Sequence, residues 1–272
     1  MMLGELYKPK GLALETAQAV LQIKEPLACN VALGCSNRCS YCYIPKFMRK
    51  SDLNYHLRLP KKPPAELVRK QLDKMNHLPE GVFIPFMTDP FLPELRNATE
   101  DLIGLLLDND IDVATLSKLG VPNFASDEYL RLYPGMTIVS LDEEFWRKFE
   151  PRTLRPDIRL ALIDAYEESG WISMEPYPPS TIYKQNLGEL LERFTDCYID
   201  LIVFGMWNYD PRAKTEEARK EYAEDIEILT DFCKSNDIRL HVKSDTMRFI
   251  EGLKEPPIPH PPAKVSERQE AP

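Results

Sequence analysis

The chain has 272 residues, 43% hydrophobic and 28% charged, with a formal net charge of −9. That length can bury a sizeable core as one α/β barrel or two small domains, and the acidic balance excludes a uniformly basic coat for nucleic acid. No apolar run approaches the roughly 18 residues of a membrane helix, and MMLGELYKPK shows no signal-peptide pattern, so the expected location is cytoplasmic with no membrane partner.

Residues 1–26 lack a strong period and contain the Lys8-Pro9-Lys10 breaker, which predicts an irregular N-terminal arm with a short helix near Ala13 to Leu21. Leu27 to Leu33 is apolar and ends at Gly34, a first strand that delivers Cys35, Cys39 and Cys42 into the following loop. Residues 44–63 continue that loop until Pro64 opens a helix at its first position, running to about Met75. A second strand, Gly81 to Met87, runs into TDPFLPE with Thr88 and Asp89 at its end. A helix from Ala98 to Asp108 precedes a third strand, Ile111 to Leu116, ending at Ser117 and Lys118. The fourth, Met136 to Val139, ends at Ser140, and a helix is read from Pro156 to Ser169. The fifth strand, Trp171 to Met174, ends at Glu175. The sixth, Ile199 to Phe204, ends before Asn208. A helix from Glu216 to Ser235 leads to a seventh strand, Arg239 to Val242, with Lys243 at its end.

Repeated strand and helix alternation implies parallel strands joined by crossovers. Thr88, Asp89, Lys118, Ser140, Glu175, Asn208 and Lys243 all follow carboxyl ends of strands, the face on which (β/α) barrels build active sites. No GxGxxG fingerprint supports a doubly wound dinucleotide fold. The expected fold is a partial (β/α)6 TIM-type barrel over residues 27–254, with the arm at 1–26 and a proline-rich disordered tail at 255–272.

The three cysteines, spaced CxxxCxxC, are too close for disulfides between neighbours and read as soft thiolate ligands for an iron-sulfur cluster or zinc. For zinc the nearest downstream histidine, His56, lies beyond the usual short ligand spacing. Cys29, Cys197 and Cys233 sit in apolar or amphipathic patterns and read as core residues. Residues 1–62 carry ten Lys and Arg against four Asp and Glu, and Lys46, Arg49, Lys50, Arg58, Lys61 and Lys62 follow the cysteine loop directly. Such a run is ordinarily a solvated face, and next to a metal loop it also suits an anionic partner.

CxxxCxxC beside Tyr41 and Tyr43, TDPFLPE, ATLSKLG, VSLDEEFWRKFEP with RLAL, and SMEPYPPS together resemble the radical S-adenosylmethionine (SAM) superfamily, in its spore photoproduct lyase-like branch. The resemblance spans about Leu27 to Pro179. It implies that Cys35, Cys39 and Cys42 ligate a 4Fe-4S cluster whose open iron chelates SAM, and that Tyr41 contacts the adenine. It further implies Thr88 and Asp89 beside the methionyl amino group, Lys118 near the carboxylate and Ser140 near the ribose. An electron donor such as flavodoxin or ferredoxin is implied as a partner. Phe86 and Met87 stand where the spore enzyme carries its hydrogen-returning cysteine, so the resemblance does not carry DNA repair, and nucleic acid is not the favoured partner. The function expected is a radical SAM enzyme acting on an unidentified substrate. Its rival is a non-catalytic zinc- or cluster-binding nucleic-acid adaptor.

Overall fold

Among the described residues, short apolar runs bounded by proline, glycine and capping residues produce eight strands in one sheet, whose spatial order follows the chain. They are β1 (Leu6–Tyr7), β2 (Leu27–Cys29), β3 (Gly81–Ile84), β4 (Asp112–Ser117), β5 (Leu132–Thr137), β6 (Gly170–Tyr177), β7 (Ile199–Met206) and β8 (Arg239–Val242). Strands β2 to β8 pair in parallel, and β1 runs antiparallel to β2. This is an open, partial TIM-type barrel. The computed structural model describes residues 3–45, 56–123, 130–166 and 170–251. The expected tail at 255–272 and the basic residues Lys46, Arg49 and Lys50 lie outside them, and the helix expected to reach Ser169 ends at Asp164.

Eight helices are described: α1 (Leu12–Leu21), α2 (Pro64–Leu72), α3 (Arg96–Leu107), α4 (Glu143–Phe149), α5 (Pro156–Asp164), α6 (Leu187–Glu192), α7 (Glu216–Ser235) and α8 (Ser244–Ile250). Pro64 and Pro156 open α2 and α5, where a missing N–H costs nothing. Asp142, Asn186 and Thr215 cap α4, α6 and α7 by accepting from backbone N–H groups of the first turn.

Alternation along the strands sends side chains to two faces. Val82, Ile84 and Val113 pack against Val68, Leu72, Leu102 and Leu106 of α2 and α3. Ile172, Met174, Ile202 and Phe204 pack with Leu160, Leu190, Tyr222 and Ile226 of α5, α6 and α7. The other face gathers Phe83, Ala114, Trp171, Leu201 and Val203 around Ala17, Val20 and Leu21 of α1. The helix in the N-terminal arm therefore fills the concave side of the sheet.

Several boundaries differ from expectation for local reasons. β2 stops at Cys29 rather than Leu33, because the Asn30 side chain takes over the pairing: its Oδ1 accepts from the backbone N–H groups of Phe86 (3.0 Å) and Met87 (3.1 Å). Proline 85 follows directly after the end of β3, which stops at Ile84 instead of Met87. β5 starts at Leu132, four residues before the expected Met136, and contains Pro134 and Gly135. The ladder to β6 begins only at Gly135, so Pro134 lies where no β6 partner is paired with it. A Cβ on Gly135 would overlap the Trp171 indole, so only glycine admits that ring against the backbone.

Candidate active site

The ends of β3 and β4 meet at the cysteine loop. Gly34 donates its N–H to Met87 O (3.2 Å), which pins the start of the cysteine loop to the segment after β3. Gly34 has φ +89°, a turn conformation that disfavours other residues. Arg38, between Cys35 and Cys39, also lies in the left-handed region at φ 54°. The loop closes with Cys42 N–H to Cys39 O (3.1 Å) and Ser40 N–H to Phe149 O (2.9 Å).

Asp89 is the hub of the site. Its Oδ1 accepts from Ser117 Oγ (2.7 Å) and Phe91 N (3.1 Å), and its Oδ2 from Lys118 N (2.8 Å) and Asn37 Nδ2 (3.1 Å). One buried carboxylate thus joins the cysteine loop, the end of β3 and the end of β4. Thr88, beside it, has a buried Oγ1 without a hydrogen-bond partner among the described residues. Such an orphaned hydroxyl costs about 1–3 kcal/mol unless something binds it.

Tyr41 leaves the loop toward the barrel wall. Its hydroxyl donates to Glu150, and Glu150 is held by Arg159 in an ion pair in which both side chains are about 1% exposed. Arg159 Nη1 also donates to Thr137 O (2.6 Å) at the end of β5. The Tyr41 ring meets Trp207 edge-on at 5.0 Å between centroids, and Lys118 Nζ stands 5.5 Å from the ring centre. Ser140 is buried, and its Oγ accepts from Asp142 N (3.2 Å) at the start of α4.

The other strand-end residues form a second group. Lys243 Nζ lies 3.6 Å from Glu175 Oε2 and donates to Leu12 O (2.9 Å) and Thr16 Oγ1 (2.5 Å) on α1. Asn208 donates to Asp245 (3.2 Å) and accepts from Lys214 (3.1 Å). Burial pushes the Glu175 carboxyl up against the opposing pull of Lys243. A Cβ on Gly205 would fall 2.8 Å from Glu175 Cγ, so the bare backbone of β7 makes room for this side chain.

Burial followed by the charge of Asp89 pushes the Cys35 thiol up to about 11, and burial pushes Cys39 up to about 12, with Lys118 pulling the other way. Burial raises Cys42 as well. The three thiols lie within electrostatic reach of one another. Among the described residues no three His, Cys, Asp or Glu side chains stand close enough to share a single metal ion. A cubane cluster is larger than an ion and takes its thiolates further apart, each losing its proton on binding. The donor set, together with the orphaned Thr88 hydroxyl, fits a group of that kind.

No family model matches the sequence, and no curated protein matches it. Solved structures do. SuiB from Streptococcus suis, crystallised with S-adenosylmethionine, is 15% identical over 79% of this chain and 46% of its own, with a TM-score of 0.51. SuiB with its precursor peptide SuiA gives 15% identity, 80% and 48% coverage, and a TM-score of 0.53. A spore photoproduct lyase mutant holding a dinucleoside spore photoproduct gives 12% identity, 78% and 74% coverage, and 0.54. The chain shares the fold of SuiB and spore photoproduct lyase. It spans about half the length of SuiB and about three quarters of spore photoproduct lyase.

Within that fold, sequence reasoning missed Asn30 and Asn37 as ties between strand ends, Glu150 and Arg159 as the anchor of Tyr41, and Trp207. Asn37 carried a signal, a short polar side chain inside a metal loop. Glu150 and Arg159 lay within the VSLDEEFWRKFEP and RLAL segments, but nothing there paired them: Glu150 caps the end of α4, Arg159 lies on α5, and charged residues nine apart look solvent-facing.

Proposed function

We propose that this protein is a radical SAM enzyme. The observation that carries the reading is the placement of Cys35, Cys39 and Cys42 in one loop tied through Asp89 to the ends of β3 and β4, on a radical SAM fold. Cys35, Cys39 and Cys42 are the ligands we assign to a 4Fe-4S cluster, which when bound would supply the open iron for SAM and the electron that cleaves it to a 5'-deoxyadenosyl radical. Thr88 offers its unpartnered hydroxyl to the methionyl ammonium. Four protein donors already engage the Asp89 carboxylate, so its part is to position Thr88, Lys118 and the loop. Lys118 pairs with the SAM carboxylate, Ser140 borders the ribose, and Tyr41, fixed by Glu150, borders the adenine. The substrate meets the β6 to β8 side of the mouth, where Glu175 faces Lys243. No described helix is long and apolar enough to cross a membrane. Thiolate ligation suits a reducing compartment, and we place the enzyme in the cytoplasm.

Anaerobic reconstitution with iron and sulfide tests the reading. Brown protein with about four irons per chain, which on reduction converts SAM to methionine and 5'-deoxyadenosine, supports it. Colourless protein holding one zinc, or an intact reducible cluster that never yields 5'-deoxyadenosine, overturns it.

A further inference from the structure

Tyr41 lies between two of the three loop cysteines, and its hydroxyl ends on a buried charge. Glu150 divides its oxygens: Oε1 accepts from Tyr41 and Oε2 from Arg159, so the carboxylate stands between the loop and the guanidinium. Arg159 is held in turn by Thr137 O (2.6 Å). The segment that carries Glu150 is tied to the site on both sides. Ser40 N donates to Phe149 O (2.9 Å), Leu154 N donates to Lys118 O (3.1 Å), and between them Glu150 O accepts from Thr153 N (3.1 Å) and Thr153 Oγ1 (2.8 Å). A neutral acceptor would hold the Tyr41 hydroxyl equally well. Burying a carboxylate and a guanidinium instead carries a desolvation penalty that even a good pair need not recover, and Arg159 Nε has no hydrogen-bond partner among the described residues. What the charge adds to the hydrogen bond is a field at the loop: Cys39 lies within electrostatic reach of Glu150, with Lys118 acting in the opposite sense.

We propose that Glu150, kept in place by Arg159 and acting through Tyr41 and its own field, is a positioning residue that lowers the reduction potential of a cluster held by Cys35, Cys39 and Cys42. The inference rests on the radical SAM reading and adds to it what sets the driving force for cleaving SAM. Reduction puts one further negative charge on the cluster, supplied by a low-potential one-electron donor, and no bond to Glu150 or Tyr41 forms or breaks. A fixed carboxylate nearby raises the cost of that electron and makes the reduced cluster a stronger donor. Net charge, hydrogen bonding and solvent exposure are the levers on such potentials. Exposure is low here, about 8% for Cys39 and about 1% for the Glu150 and Arg159 side chains, so water screens the charge weakly. Arg159, on the other oxygen of the carboxylate, offsets part of the effect and makes the buried charge tolerable.

The test is a dithionite titration of the reconstituted protein followed by electron paramagnetic resonance, which reads the midpoint potential of the cluster. Glu150→Gln keeps an acceptor for Tyr41 and removes the charge. A double variant, Glu150→Gln with Arg159→Met, removes the whole pair and serves where a lone buried guanidinium prevents folding. Tyr41→Phe removes the hydrogen bond and keeps the charge. At a poise where wild type is half reduced, Glu150→Gln should raise the ratio of reduced to oxidised cluster about tenfold. The double variant should move it in the same direction by less, and Tyr41→Phe should stay within about twofold. An unchanged potential in both glutamine variants overturns the inference. So does a shift in Tyr41→Phe as large as that in Glu150→Gln, which would assign the effect to the placement of the loop alone. Failure of the wild-type protein to assemble an iron-sulfur cluster removes the radical SAM reading and this inference together, whereas a normal cluster with an unshifted potential removes this inference and leaves that reading intact.

Discussion

Lys243 Nζ, at the end of the last strand, donates to the carbonyl oxygen of Leu12 in the first turn of α1, 231 residues earlier (2.9 Å). The same ammonium reaches Thr16 and lies 3.6 Å from Glu175, and it is 2% exposed. Further along the helix Glu15 accepts from Ser244 N (2.6 Å) and meets His241 (3.0 Å), and Arg239 donates to Ala19 O (2.9 Å). The open edge at β8 is thereby held to the helix that fills the concave face.

Lys243→Met should destabilise the fold by about 3–5 kcal/mol, because it strips the partner from Glu175 and removes the ammonium that donates to Thr16 Oγ1, while Leu12 O keeps the Thr16 hydroxyl as a donor. Urea unfolding measures this as a lower midpoint at unchanged slope. An unchanged midpoint would show that α1 does not depend on this anchor.

Asp225, on α7, is 8% exposed, and its Oδ2 has no hydrogen-bond partner among the described residues. Burial, followed by Glu221 and Glu224, pushes its carboxyl up from 3.8 to about 7. The native state then keeps a proton that the unfolded chain gives up, so its contribution is full below pH 3.8 and is lost as pH rises toward 7. Asp225→Asn should leave stability near pH 4 unchanged and raise it at pH 8 by on the order of 4 kcal/mol. Thermal midpoints of both proteins across that range read the result, and parallel curves would remove Asp225 as the cause.

Cys35→Ala, Cys39→Ala and Cys42→Ala should each prevent cluster assembly. Cys233→Ala, at a core position, and Cys197→Ala, whose Sγ donates to Arg193 O (3.3 Å), should not. Iron analysis and the visible spectrum after anaerobic reconstitution decide the matter. A normal cluster in any of the first three removes that cysteine from the ligand set.

Lys118→Ala should leave iron content intact and weaken SAM about tenfold to a hundredfold, since one charge-assisted contact of about 1.5–3 kcal/mol is lost but no thiolate is. Equilibrium dialysis with labelled SAM provides the measurement. Wild-type affinity in the variant would assign the SAM carboxylate to another donor.

The sequence by itself determined what is encoded within a few residues. The cysteine spacing, Gly34 at a left-handed turn, proline at the starts of α2 and α5, and strand and helix alternation were legible because each depends on local backbone geometry or on which face is apolar. That alternation also implied that Thr88, Asp89, Lys118 and Ser140 share one face.

Tertiary structure alone decided which groups meet there. Asp89 draws its four donors from positions 37, 91, 117 and 118, Glu150 couples Tyr41 to Arg159, and Lys243 serves α1. β1 and the interior seat of α1 were likewise unreadable. Hydrophobic period reports that a face will be buried and is silent on its partner. A charged side chain reads as solvated until folding brings a counter-charge from a distant segment and makes its burial tolerable.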